Sequence, residues 1–261
     1  KGVQTSLISV SITLLVFSYL VVLARILVRL KIRAFGSDDW LMAVGLCFYT
    51  AACTAAILGA LNGVGAHAYR LSENNKRDGA MYYMYFQLFY VCSTLPIKAA
   101  ICVTLLRITI RRSFKIILCM VIAMSFAASL ACVIAVLVQC RPVRATWDKS
   151  VGKCAPPKVI LGVSYFISAA SILTDWTCAI LPVFILWDVQ LRWRVKASVA
   201  ILLAMGVVAS TATLVRLKYI PSYAASSDYL YGLGPVALWS IIESGLGIIA
   251  GSLATLRPVY K

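Results

Sequence analysis

Acidic side chains are scarce in this chain: nine Asp and Glu stand against 25 Lys and Arg in 261 residues, and there is a single histidine. Charged residues of both signs make up 13% of the sequence against 62% hydrophobic, and the mean hydropathy is +0.90. A soluble domain of this length would not be so apolar, so that class is excluded. The nine cysteines have no spacing that suits a metal, and no cofactor site is expected. No N-x-S/T sequon is present, so glycosylation says nothing about sidedness. There is also no low-complexity segment and no internal repeat of the kind that builds transporters, which counts against that function.

What the chain does have is a series of long apolar runs. A bilayer span takes about 20 largely apolar residues. Runs at roughly 5–27, 40–61, 82–106, 116–139, 159–187, 197–217 and 233–255 therefore predict an all-α bundle of seven transmembrane helices, one domain over residues 1–261. The links are short and leave no room for a separate soluble domain. A chain opening on Lys1 reads as a portion of a longer one. The first run is too long for a signal-peptide core and lacks a clear cleavage site, so it reads as a retained span.

The net charge of +16 points to nucleic acid only until its distribution is considered. Arg25, Arg29, Lys31 and Arg33 follow the first span, Arg107, Arg111, Arg112 and Lys115 the third, Arg192, Arg194 and Lys196 the fifth, and Arg257 and Lys261 the seventh. All lie on one membrane face. The opposite loops dilute their basic residues with Glu73, Asp78, Asp148 and Asp228, although Arg141, Arg144, Lys149, Lys153 and Lys158 moderate the bias. The positive-inside rule then puts the N-terminus outside and the C-terminus in the cytoplasm. The basic clusters suit anionic lipid of the bilayer or a cytoplasmic signalling partner; no nucleic acid is expected. The membrane itself is either the plasma membrane or an endomembrane.

Seven cysteines fall inside spans, where the thiol behaves as a small apolar group. Cys140 and Cys154 both lie in the loop after span four, on the predicted outer side. An oxidising exterior permits a disulfide there, two free loop thiols being the alternative. Such a bridge would hold Trp147 and Ala155-Pro156-Pro157 over the bundle as a lid. The turn Asn62–Arg70 places His67 at the outer mouth; a lone histidine is a candidate for chemistry, with a structural role as the alternative.

Three ionisable residues sit near mid-depth: Lys98 in span three, Asp175 in span five and Glu243 in span seven. A charge at that depth is costly and marks a site by default. Two acids and one base do not cancel unless one acid keeps its proton or finds donors. One reading is an interhelical staple, with Lys98 paired to one acid and the other acid hydrogen-bonded. The other is a ligand or chemical site, lined in the outer halves by Tyr83, Tyr85, Gln87, Tyr90 and Tyr165, with Trp239 on span seven and Arg216 at the end of span six. Asp38 and Asp39 open span two, where they can cap it and favour its dipole. Gly247 and Gly251, four apart on span seven, signal close helix packing, and Pro96 and Pro182 should kink spans three and five.

Taken together, these motifs make the chain resemble the fungal rhodopsin-domain family, the seven-helix domain of fungal integral membrane proteins, including the satratoxin-cluster type. The resemblance rests on Gly36-Ser37-Asp38-Asp39-Trp40-Leu41, Gly63-Val64-Gly65-Ala66-His67, Lys98 with Leu105-Leu106-Arg107-Ile108, Cys140-Arg141-Pro142 with Trp147 and Cys154, Asp175 with Pro182, and Trp239 with Ile242-Glu243 and Leu256-Arg257-Pro258. It covers essentially the whole chain. It departs at Ala99-Ala100, where the family often carries a serine, and at Ala254, where proline is common. The family name suggests retinal, but span seven offers Glu243 and no lysine for a Schiff base. The resemblance implies either a receptor-like protein with a pocket for a small apolar ligand or, alternatively, an intramembrane acid–base enzyme of secondary metabolism, a cyclase or isomerase. In the enzyme, Glu243 or Asp175 would donate a proton and His67 or the other carboxylate would accept one.

Overall fold

A computed structural model describes residues 2–67, 69, 71–109, 111–148, 150–187, 211 and 229–256. Six long helices account for most of them: α1 (Gly2–Lys31), α2 (Ser37–Leu61), α3 (Glu73–Ile108), α4 (Arg112–Val138), α5 (Pro157–Trp187) and α6 (Tyr229–Leu256). Five of the six, α5 excepted, contain a stretch long and apolar enough to cross a membrane among the described residues. The expected span 197–217, with Arg216, lies outside the described residues apart from Thr211.

The side chains confirm the solvent. Phe17, Leu20, Leu23 and Leu27 on α1 are each more than half exposed, and Met120, Phe126 and Ile134 on α4 likewise. Water would not tolerate such faces, whereas lipid does; helices that satisfy their own backbone groups are one of the two structures that span it. This is an integral membrane protein. Its inward faces carry small and medium residues, because helices in lipid associate through close packing and hydrogen bonds rather than through a hydrophobic drive. A Cβ on Gly45 of α2 would lie 2.8 Å from Ile97 Cγ1 on α3, and one on Gly251 of α6 would lie 2.9 Å from both Ile101 Cγ1 and Met42 Cε. Tyr49, 1% exposed, donates its hydroxyl hydrogen to the Ile241 carbonyl at 3.2 Å, tying α2 to α6.

At one end of the bundle, called here the loop end, α2 stops in a turn where Gly63 and Gly65 take φ of +112° and +85°. The left-handed region suits glycine, and the turn is fixed when the Gly65 amide donates to the Leu230 carbonyl at 2.9 Å. Between α4 and α5 a two-stranded antiparallel hairpin pairs β1 (Cys140–Arg141) with β2 (Lys153–Cys154), Cys140 standing opposite Cys154, and a 3₁₀ turn spans Val143–Thr146. A disulfide joins Cys140 to Cys154. Arg77 at the start of α3 forms an ion pair with Asp148 of this loop. That bond, helped by Ser150, lowers the Asp148 carboxyl to about 2. The helices α3 and α6 run on through Pro96 and Pro235.

Candidate functional site

Lys98 lies on α3 two residues past Pro96, facing α5. Its ammonium is 2.7 Å from Asp175 Oδ1 and donates to Ser171 Oγ at 3.1 Å and Thr174 Oγ1 at 3.3 Å. All three partners are on α5, at i, i+3 and i+4, the spacing that puts them on one helical face. Asp175 Oδ2 is buried without a hydrogen bond among the described residues. The other acid, Glu243 on α6, is 7% exposed and its Oε2 accepts the Tyr90 hydroxyl of α3 at 2.8 Å. Each carboxyl is thus held from α3: one by an ammonium, the other by a phenol one helical stretch nearer the loop end.

Tyr90, Lys98, Ser171 and Thr174 line a cavity of about 120 Å³. From α3 it is lined by Tyr83, Phe86, Gln87, Tyr90, Val91, Thr94 and Lys98, from α4 by Ser125, Ala128, Ser129 and Cys132, from α5 by Ser168, Ser171 and Thr174, and from α6 by Val236 and Ser240. Neither carboxyl is part of this wall; Asp175 stands behind Lys98 and Glu243 behind Tyr90. Hydroxyls are frequent in the wall and alternate with the carbon faces of Phe86, Val91, Ala128 and Val236.

Several sequence candidates fall elsewhere. Tyr165 is 39% exposed and, like Trp239, is not in the wall; Ser168, three residues on, takes the inward position instead. Arg216 lies outside the described residues. His67 belongs to a second cleft, of about 330 Å³, at the loop end with Gly2, Val3, Gln4, Gly65, Ala66, Leu71 and Tyr231. Its ring stacks on Tyr231 at 4.1 Å and on Tyr69 at 5.7 Å. The geometry therefore does not bring it to either carboxyl.

The opposite end of the bundle holds a charged cluster in a different role from the one its sequence position suggested. Arg25 does not follow the first span; it lies inside α1 and is 1% exposed. It donates to Asp39 Oδ1 and Asp38 Oδ2, both at 2.7 Å, and to the Gly251 carbonyl at 2.9 Å. Arg29 adds a bond to Asp38 at 3.2 Å, and Arg107 of α3 an ion pair at 3.0 Å. Asp39 also accepts the Gly36 amide at 3.0 Å, so the expected cap exists, but the two acids chiefly bind three arginines, two from α1 and one from α3. Arg25 was legible in principle: Leu7, Ser11, Ser18, Val22 and Arg25 are the buried residues of α1, and their spacings of four, seven, four and three mark a single face. Between this cluster and the cavity, Cys102 and Cys178 touch with sulfurs 3.5 Å apart among Leu105, Leu118, Val121 and Leu181.

Comparison with known proteins settles the lineage. The model of the fungal rhodopsin domain matches residues 24–261. The chain belongs to the fungal rhodopsin domain family. Among relatives of this fungal rhodopsin domain is the fugralins biosynthesis cluster protein 2 of Gibberella zeae, 30% identical over 146 residues, covering 55% of this chain and 36% of the relative. Another is the polyenoic acids biosynthesis gene cluster protein Ba17b of Metarhizium anisopliae, 25% identical over 239 residues, 86% of this chain and 65% of the relative. The chain thus spans less than two thirds of either relative's length. No solved structure matches. The family match includes Lys98, Asp175 and Glu243 as well as the whole charged cluster at the other end.

Proposed function

We propose that this fungal rhodopsin domain is a receptor-like membrane protein that binds a small molecule in the cavity between α3, α4, α5 and α6. The observation that carries the reading is the cavity itself: a hydroxyl-bearing space inside the bundle whose charged wall residue among the described residues, Lys98, is matched by Asp175. A buried polar space in a lipid-soluble bundle is costly unless something occupies it. The relatives' names place them in gene clusters that make fungal metabolites, and such a metabolite is the ligand we favour. In the proposed orientation the loop end faces outward and the arginine end meets a cytoplasmic signalling partner, in keeping with the positive-inside rule.

A second reading, an intramembrane acid–base enzyme of the cyclase or isomerase kind, is favoured by one contact. The Tyr90 hydroxyl lines the cavity and donates to Glu243, so the phenol oxygen could take a proton from a ligand while its own passes to the Glu243 carboxylate. Expression in a filamentous fungus, purification into nanodiscs and mass spectrometry of the extracted small molecules tests both. One compound should copurify with the wild type and be lost from Ser129→Leu, which fills the cavity. Recovery of no compound would overturn the binding reading. With Tyr90→Phe, a receptor keeps the same compound, whereas an enzyme holds a different one, its unreacted substrate.

A further inference from the structure

Resting on the cavity as the ligand site, we infer that what it takes is an uncharged group bearing hydroxyl or carbonyl oxygens, of about half a dozen heavy atoms. Three observations lead there. The first is charge. The three hydrogens of the Lys98 ammonium have three partners, Asp175, Ser171 and Thr174, and neither acid reaches the wall. An ionic ligand would find no unmatched countercharge among the described residues of the wall and would have to shed its hydration for nothing.

The second is the balance of donors and acceptors. Ser240 and Thr94 donate to carbonyls of their own helices, Val236 at 2.9 Å and Val91 at 3.0 Å, so toward the cavity they offer oxygen lone pairs. Ser171 accepts from Lys98 and retains a proton to give. Ser125 is the deciding residue: it is 6% exposed, it lines the cavity, and its hydroxyl is buried with no hydrogen-bond partner among the described residues. A hydroxyl left in that state costs free energy that an incoming polar atom recovers. A ligand suited to this wall both donates and accepts.

The third is size. An apolar cavity of about 150 Å³ in another protein holds benzene. At about 120 Å³, this one takes the oxygenated portion of a larger amphipathic molecule or a small molecule entire.

The test uses four probes of equal size, butane-2,3-diol, hexane, butyrate and pentylammonium, at millimolar concentration with the protein in nanodiscs. Binding is read by saturation-transfer NMR as the difference between wild type and Ser129→Leu, which cancels partitioning into lipid. The diol should show that difference and the other three should not. Ser125→Ala gives an independent reading that does not depend on a filled cavity folding well. It should raise the unfolding temperature of the empty protein, by removing the unpartnered hydroxyl, and weaken the diol about fivefold, the worth of one hydrogen bond. A difference seen with hexane and not the diol would leave the site standing and overturn the ligand class. A difference confined to butyrate or pentylammonium would overturn the charge argument. If no probe distinguishes wild type from either variant, the cavity is not a binding site and both this inference and the reading beneath it fall.

Discussion

Replacing Lys98 by methionine should be the most informative single change in the bundle. The substitution keeps most of the side-chain volume and removes the ammonium. Asp175 then loses its ionic partner at 2.7 Å, and its second oxygen already lacks a hydrogen bond, so among the described residues no donor is ready to take over. Breaking a buried pair by removing one partner costs about 3–5 kcal/mol. Ser171 and Thr174 lose a donor, but each can turn its hydroxyl elsewhere, so they add little. Thermal unfolding in detergent, followed by the fluorescence of a folded fusion partner, should show Lys98→Met destabilised by about that amount. Asp175→Asn alone should cost less, because Lys98 keeps Ser171, Thr174 and an amide oxygen. The double variant should be more stable than the sum of the two, with a coupling of about 2 kcal/mol, within the usual range for contacting residues. Glu243→Gln should be mild, since the amide oxygen still accepts from Tyr90. Additive losses from Lys98→Met and Asp175→Asn would refute the pairing. Recovery of stability in the double variant without recovery of function would show that the pair serves the site and not the fold alone.

Arg25→Met should destabilise the protein at the lower end of the same 3–5 kcal/mol range, because Arg29 and Arg107 still contact Asp38; a loss below about 1 kcal/mol in the same unfolding assay would show the cluster to be dispensable. Reduction of Cys140–Cys154, which closes a loop of about 15 residues, should lower stability by roughly 3 kcal/mol on the chain-entropy model, and mass spectrometry of an unreduced digest should find the bridged peptide. The Asp148 carboxyl sits at about 2, below its ordinary value of 3.8, so the Arg77–Asp148 tie is fully present above pH 4 and is lost as pH falls toward 2. Hydrogen exchange of the loop should accelerate across that window in the wild type and show no such step in Asp148→Asn. In a cysteine-free background, an impermeant thiol reagent on intact cells should label Ser150→Cys and not Arg33→Cys; the reverse pattern would invert the proposed topology.

Depth counting was enough to bring Lys98 and Asp175 together, because residues at equal depth on neighbouring helices have few alternatives in a compact bundle. It could not supply Tyr90 as the partner of Glu243, since a tyrosine in a span reads equally as wall, belt or core. The serines of α4 went unnoticed for a similar reason: Ser125 and Ser129 stand among apolar residues, and only their i, i+4 spacing hints at a shared inward face. Arg25 was misplaced because a charge near the end of an apolar run looks like a flanking residue, and the acids that neutralise it are on another helix.

The α3 helix touches both charged regions, with Lys98 at the cavity and Arg107 at Asp38. Nine residues separate them, about 13.5 Å of rise and two and a half turns, so the two side chains leave the helix on opposite sides. Rolling α3 about its own axis therefore swings the ammonium and the guanidinium in opposite directions. Cys102, Cys178 and their leucine neighbours form an apolar layer between the two regions, so any coupling between the ends would have to run through the helix itself.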